Sequence, residues 1–383
     1  MADSSEGSRE LALEKLIRRE VRAHGRITFE RFMEHALYHP VWGYYTSGAT
    51  RIGAQGDYYT SPDVSPLFGA TLGRQIHEMW TLMGEPAEFT VVEWGAGKGL
   101  LAADVLGWAG AAHPRFFQAL RYLIVEVSPG LRAAQRERLR GLPARWMAES
   151  DIPPRSVTGC FISNEVADAL PFHRVRGNDG ELTELWVVDR DGTLGEDPGE
   201  PSTPELGAYL DASGTPLSNG QTAEINLRAP DWILRQVEAL LSGWVLAIDY
   251  GGTAPGLYGG RYPHGTLACY YRHTRGTDPF ERIGEQDITA HVNFSALARA
   301  VRDAGGEVAG YTTQAFFLAA LGLGEGLLFA QARASTAGEW DRERAAVEQL
   351  IRPDGLGGFR VLVARKGAPA TPLRGLSLQN DPL

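Results

Sequence analysis

The chain predicts an α/β fold: a doubly wound parallel sheet with an N-terminal helical cap and an inserted subdomain on its substrate side. Three observations carry this. Thr90–Glu93 is a short β-branched run ending in an acid, and Gly95, Gly97 and Gly99 follow at every second position before a helix-like segment opens. Tyr122–Val127 reads as a second buried strand with Glu126 at its tip, and Ser128-Pro129 suits a helix start. From Phe89 to about Pro171 strands and helices alternate, the signature of βαβ units.

The elements follow in order. Leu13, Leu16, Ile17, Phe29, Phe32 and Met33 recur at helical spacing, and Gly25 separates two helices. Ser65-Pro66 is a cap followed by proline at the first helical position, with Phe68, Leu72, Ile76 and Met79 on one face of the helix. Residues 1–85 are thus read as a helical and loop-rich cap, and 86–173 as the first part of the core. Gly159–Ser163 is expected to be its fourth strand. Residues 174–229 break the alternation: Leu185–Val188 looks like a strand and Gly192–Pro204 is rich in loop formers. They are read as an insertion. The second part of the core spans 230–367, with Trp244–Asp249 as the fifth strand, a substrate-side segment at about 256–330, and Phe359–Ala364 as a closing strand. Several prolines break residues 368–383, which are expected to be a mobile tail.

Bulk properties narrow the functions. The chain has 383 residues, long for one core, and 43% hydrophobic with 22% charged residues suits a soluble globular protein. Lys and Arg total 37 against 47 Asp and Glu, a net charge of −10 that argues against nucleic acid as the main partner. Two cysteines without metal-ligand spacing predict a reducing compartment and no metal site. Neither a signal core nor a basic transit-like start is read at the N-terminus, and no apolar run reaches the roughly 18 residues of a membrane span. A cytoplasmic enzyme is expected, with a homodimer left open.

The glycine spacing selects the ligand. A dinucleotide fingerprint, G-x-G-x-x-G, would place its last glycine at position 100, where this chain has Leu100. The observed E-x-G-x-G-x-G looks like the first motif of class I S-adenosylmethionine (SAM) methyltransferases. Glu93, Gly95, Gly97 and Gly99 are therefore candidate cofactor residues, the acid facing a cationic ligand. Glu126 can accept both ribose hydroxyls from its strand tip, with Val127 beside it.

Over most of its length the chain closely resembles the MidA-like SAM-dependent methyltransferases, whose mitochondrial members are protein arginine methyltransferases that assist assembly of respiratory complex I. The resemblance rests on Ile27–Met33, Tyr38–Tyr45, Gly56–Pro62, the Gly95 loop, Val125–Pro129, Ser163–Glu165, Asp168–Pro171, Ile248–Gly251 and Gly284–Phe294, all in one order. It implies a class I SAM-methyltransferase sheet with SAM as cofactor. One departure is Val166-Ala167, where the family often has two aromatics.

The resemblance also implies roles. Asn164 and Glu165 follow the fourth strand, where such enzymes place acceptor-orienting polar groups, and a carboxylate can hold a guanidinium by two parallel hydrogen bonds. Asp168 is a candidate assistant or a turn residue. Thr60 and Ser61 are expected near the methionine end of the cofactor, and Asp151 and Ile152 near the adenine. Tyr58, Tyr271 and His291 are candidates for contact with substrate, though a lone histidine is more often structural. The leading function is methylation of a protein side chain, arginine by analogy. Methylation of a small molecule and a non-catalytic SAM-binding assembly chaperone are the alternatives.

Overall fold

In the computed structural model, which describes residues 3–47, 53, 56, 57 and 59–383 (side chains from Glu10 onward), five parallel strands stand side by side. They are β1 (Phe89–Trp94), β2 (Leu120–Val125), β3 (Ala144–Met147), β4 (Val157–Asn164) and β5 (Leu240–Asp249). Two more strands, β6 (Glu307–Thr313) and β7 (Arg360–Lys366), complete the order β3-β2-β1-β4-β5-β7-β6, with β7 antiparallel to both its neighbours. The chain winds outward in both directions from β1, so a crevice opens beyond the carboxyl ends of β1 and β4. The predicted class is the one observed, and the closing strand runs two residues further than expected.

Two glycines bring the middle of this sheet together. Gly159 of β4 lies between Thr90 of β1 and Gly243 of β5, and the two glycines adopt φ of 152° and 151°. A Cβ on Gly159 would stand 1.9 Å from the Thr90 carbonyl oxygen, and one on Gly243 1.9 Å from that of Gly159. Only glycine tolerates both that torsion and that approach. The resulting register sets Trp94 beside Val125 and Ser163, and Asn164 beside Ile248.

The chain divides into two units. One comprises Tyr59–Val166, Trp232–Tyr250 and Ala298–Leu383; the other comprises Met1–Tyr58, Ala167–Asp231 and Gly251–Leu297. In the sheet-bearing unit, α4 (Pro66–Leu82) starts as the sequence predicts: Ser65 accepts a hydrogen bond from the Leu67 N–H at 3.1 Å, ahead of Pro66. It packs with α5 (Leu100–Ala112) in a core with Val91, Ile124, Cys160 and Ile162, which alternation along the strands directs to one face. So α4 belongs with the sheet, not with a cap spanning residues 1–85. Residues 368–383 are not a loose tail either. Leu373 and Leu376 are buried in the same core, and the Gly375 N–H donates to Gln75 Oε1 at 3.0 Å. Apolar anchoring at these two leucines outweighs the prolines around them.

The other unit collects the N-terminal helices α1 (Asp3–His24) and α2 (Phe29–Tyr38), broken at Gly25 as predicted, and three small sheets. The expected insertion supplies a four-stranded antiparallel sheet from His173–Asn178, Glu181–Arg190, Thr193–Gly199 and Thr222–Ile225. Phe29, Phe32 and Met33 pack there with Phe172, Val187 and Ile288.

Gly159→Ala should cost about 4 kcal/mol or abolish folding, because a backbone oxygen cannot yield to the new methyl. Gly141→Ala, at φ 84° with open space around it, should cost only about 1–2 kcal/mol. Urea denaturation of the two variants checks the contrast.

Candidate active site

The turn after β1 is built on left-handed glycines. Gly95, Gly97 and Gly99 have φ of 60°, 52° and 76°. Space is short as well: a Cβ on Gly95 would lie 2.9 Å from Val166 Cγ2, so one of the two residues that depart from the family pattern packs against the glycine turn. Gly99 begins α5 without a side-chain cap, which leaves first-turn N–H groups of a 13-residue helix available to a ligand.

Behind the turn, Glu93 is buried and accepts a hydrogen bond from the Tyr122 hydroxyl at 2.8 Å. Burial pushes its carboxyl up to about 8, more than the phenol's hydrogen bond lowers it. Glu126 at the β2 tip is also buried and likewise raised by burial. Its oxygens accept from the Ser128 N–H and Gln135 Nε2, both at 2.9 Å. The same Gln135 amide donates to the Gly97 carbonyl at 2.8 Å, and its oxygen accepts from the Trp146 indole at 2.8 Å. Gln135, which the sequence did not single out, therefore ties the glycine turn to the acid. Val127 beside it is 63% exposed, an apolar surface at the strand tip.

Asp151 lies in the turn Glu149–Asp151 after β3, where its carboxylate caps the Ala148 N–H at 3.2 Å. The Ile152 N–H donates to the Glu149 carbonyl at 3.0 Å. Both residues thus close their own turn.

Thr60 caps the short helix α3 (Ser61–Val64), its hydroxyl and N–H donating to Asp63 at 2.8 and 3.2 Å. Asp63 also forms an ion pair with Lys98 of the glycine turn. Ser61 is fully buried; its hydroxyl donates to Gln314 Oε1 at 3.1 Å and its N–H to Glu165 Oε1 at 3.3 Å. This segment is consequently fixed to the glycine turn, to the β4 tip and to Gln314.

At the β4 tip Glu165 holds φ 56°, a strained value for a side-chain-bearing residue. Its N–H donates to the Ile248 carbonyl at 2.9 Å, and Oε1 accepts from Asn164 Nδ2 at 2.8 Å. Asn164 Oδ1 is buried without a hydrogen-bond partner among the described residues. Asp249, buried at the β5 tip, accepts from the Val166 and Tyr250 N–H groups at 3.1 and 2.9 Å, bracing the turn that follows Glu165. The motif Ile248–Gly251 was visible in the sequence, but nothing local marked its acid as this brace.

The remaining candidates lie in the other unit. Asp168 is buried, and its backbone oxygen accepts from the Ala290 N–H at 3.1 Å. Burial first, then the charge of Asp168, pushes nearby Asp287 up to about 8. Asp57 accepts from the Tyr44 hydroxyl at 2.8 Å and the Arg272 N–H at 2.6 Å. Burial lowers His291 to about 4, with Arg275 and Arg261 adding to the shift, so it is neutral at physiological pH. The Tyr271 ring lies 5.0 Å from the guanidinium carbons of both Arg272 and Arg282. Tyr58 lies outside the described residues.

A family model described as "Putative S-adenosyl-L-methionine-dependent methyltransferase" matches residues 71–312. The chain is 29% identical over 360 residues to the mitochondrial protein arginine methyltransferase NDUFAF7 homolog of Drosophila melanogaster, covering 83% of this chain and 75% of that one. It is 28% identical to the Danio rerio protein arginine methyltransferase NDUFAF7, over 73% of this chain and 70% of that one. A crystal structure of a COG1565 superfamily member from Burkholderia thailandensis, bound to S-adenosyl-homocysteine, is 32% identical and superposes with a TM-score of 0.89 over 98% of this chain and 97% of that one.

The raised carboxyl of Glu93 makes stability depend on pH. Its folded value of about 8 exceeds the ordinary 4.5, so its favourable contribution is complete below 4.5 and is lost as pH rises to 8. Glu93→Gln removes that dependence, and the stability of the variant relative to wild type should improve by about 3–5 kcal/mol between pH 5 and 8.5. A gap unchanged across urea melts at these pH values would contradict the assignment. Asp63→Asn, which cuts the tie to Lys98, should leave the fold intact and weaken SAM by roughly tenfold, measured by calorimetry.

Proposed function

The chain belongs to the family of S-adenosyl-L-methionine-dependent methyltransferases matched over residues 71–312, and from that premise we propose that it methylates an arginine side chain of a protein partner. SAM, when bound, supplies a methyl group already activated by a positively charged sulfur. The edge described above suits such a molecule: a glycine turn closed to side chains, an uncapped helix start, and buried acids whose partners are neutral donors. Glu126 accepts the ribose hydroxyls and Val127 covers the base. Glu93 faces the cationic end, and the Thr60–Ser61 segment closes over the methionine portion. These residues hold the cofactor and exclude water, the work an activated donor chiefly requires.

Orientation of the acceptor falls to Asn164 and Glu165. The observation that carries this is the strained Glu165 backbone together with a carboxylate whose Oε1 is fixed by two donors. Because Oε1 already accepts two hydrogen bonds, a guanidinium meets this carboxylate through a single charge-assisted hydrogen bond, with Asn164 Nδ2 holding the group in place. The same carboxylate gives the acceptor's departing proton somewhere to go. The fly and zebrafish relatives are protein arginine methyltransferases, which supports arginine and a protein partner. Cys160 and Cys269 are free and buried, which supports a reducing compartment such as the cytoplasm.

Glu165→Gln should keep SAM affinity and slow single-turnover methylation by about 30-fold or more, equivalent to roughly 2 kcal/mol on the barrier. Mass spectrometry of the acceptor should locate the methyl group on arginine. Methylation confined to lysine or to a small molecule would overturn the arginine reading, and a wild-type rate from the variant would remove Glu165 from the site.

A further inference from the structure

The motif Gly284–Phe294 includes a buried amide, Gln286, that takes no part in the chemistry above. It stands in the unit of the N-terminal helices and lines a cleft of about 340 Å³. Strands Ala268–Tyr271 and Thr274–Gly276 make one wall. They are joined by Arg272 and His273 at φ 46° and 60°, the left-handed pair of a two-residue hairpin turn. Cys269 is opposite Gly276 across the ladder and Tyr271 opposite Thr274, so these four residues share one side of the hairpin. The segment 277–286 makes the other wall, which Asp278, Glu281 and Arg282 line.

Gln286 is 3% exposed, and its orientation is fixed. Its Nε2 donates to the Asp278 and Glu281 carbonyls at 2.8 and 2.5 Å, contacts that a reversed amide would set oxygen against oxygen. Its Oε1 accepts no hydrogen bond among the described residues and, unlike the sealed polar atoms of the core, keeps access to the cleft. Asp278 Oδ1 accepts from the Phe280 N–H at 2.9 Å, which leaves Oδ2 to the cleft. Two carboxylates line the cleft against one guanidinium, and that one is taken. Arg282 pairs with Glu281 at 2.9 Å and lies 5.0 Å from the centre of the Tyr271 ring. The Cys269 thiol registers the resulting field: burial first, then Asp287 and Asp278, push it up to about 12. The cleft thus presents acceptors and negative charge beside an aromatic ring.

We propose that this cleft takes the guanidinium or ammonium head of a basic side chain on the protein partner, a second anchor besides the arginine that receives the methyl group. The head's N–H groups donate to Gln286 Oε1 and Asp278 Oδ2, and its alkyl stem lies along Tyr271 and the Thr274 methyl. An anion would meet two carboxylates, and an apolar group would leave Gln286 unsatisfied. Assigning the head to a protein rests on the protein-partner reading above, but the test uses no methylation. A free polyamine offers the same chemistry, and putrescine is the arm that separates the two sources.

The test uses the full chain with carbon-13-labelled threonine methyls. Thr274 and Thr277, both exposed at the cleft, are assigned with Thr274→Ser and Thr277→Ser. Nα-acetyl-arginine amide or its lysine counterpart should shift at least one of these methyls saturably, and the neutral glutamine counterpart should not. Asp278→Asn, which keeps the oxygen that caps Phe280, should raise the Kd about fivefold or more. No saturable shift with either cation overturns the proposal, as does an equal shift with the glutamine probe or an unchanged Kd in folded Asp278→Asn. Putrescine binding more tightly than both blocked residues would give the cleft to a free polyamine and overturn the partner assignment. If Asp278→Asn does not fold, Glu281→Gln at the exposed rim replaces it with the same expectation.

Discussion

Everything at the cofactor edge depends on how closely β1, β4 and β5 approach one another. Gly159 and Gly243 let three backbones meet where any side chain would strike a carbonyl oxygen. The approach fixes a register, and the register places Gly95, Glu165 and Asp249 at the ends of neighbouring strands. A slip of one residue would turn every strand side chain to the opposite face. Glu93 would then leave Tyr122, and Trp94 would enter the core shared with α4 and α5.

Three acids at this edge take their side-chain hydrogen bonds from neutral donors. Glu93 has a phenol, Glu126 an amide and a backbone N–H, and Asp249 two backbone N–H groups. Lys98, the cation of the glycine turn, is paired with Asp63. Such an arrangement avoids unpaired buried groups but leaves the charged form of Glu93 poorly compensated, and a cationic cofactor would supply the missing positive charge. It also accounts for the upward shift of Glu93 and Glu126, since neutral donors relieve burial only in part.

The sequence made the glycine turn, the acid-tipped second strand and the Ser65 cap legible because each is a local device, with its cause written within a few residues. Gln135, Asp63, Gln314 and Asp249 escaped because their meaning comes from partners far along the chain: Gln314 meets Ser61 across 253 positions. Proline content suggested a loose C-terminal stretch, yet Leu373 and Leu376 have a core to enter that no local pattern announces. The domain boundaries blurred for a related reason. Three separate stretches build each unit, so no single point along the chain divides one from the other.

Strand β7 has a consequence for how the molecule is made. It is the last strand in the chain, yet it sits inside the sheet, between β5 and the edge strand β6. During synthesis β6 therefore emerges with no neighbour to pair with, and β5 keeps one side open until residues 360–366 have left the ribosome. The sheet cannot close progressively from its amino-terminal end. One side of β5 and the whole of β6 wait as unpaired backbone, and the growing chain is exposed to mispairing while the residues from 250 to 366 are made.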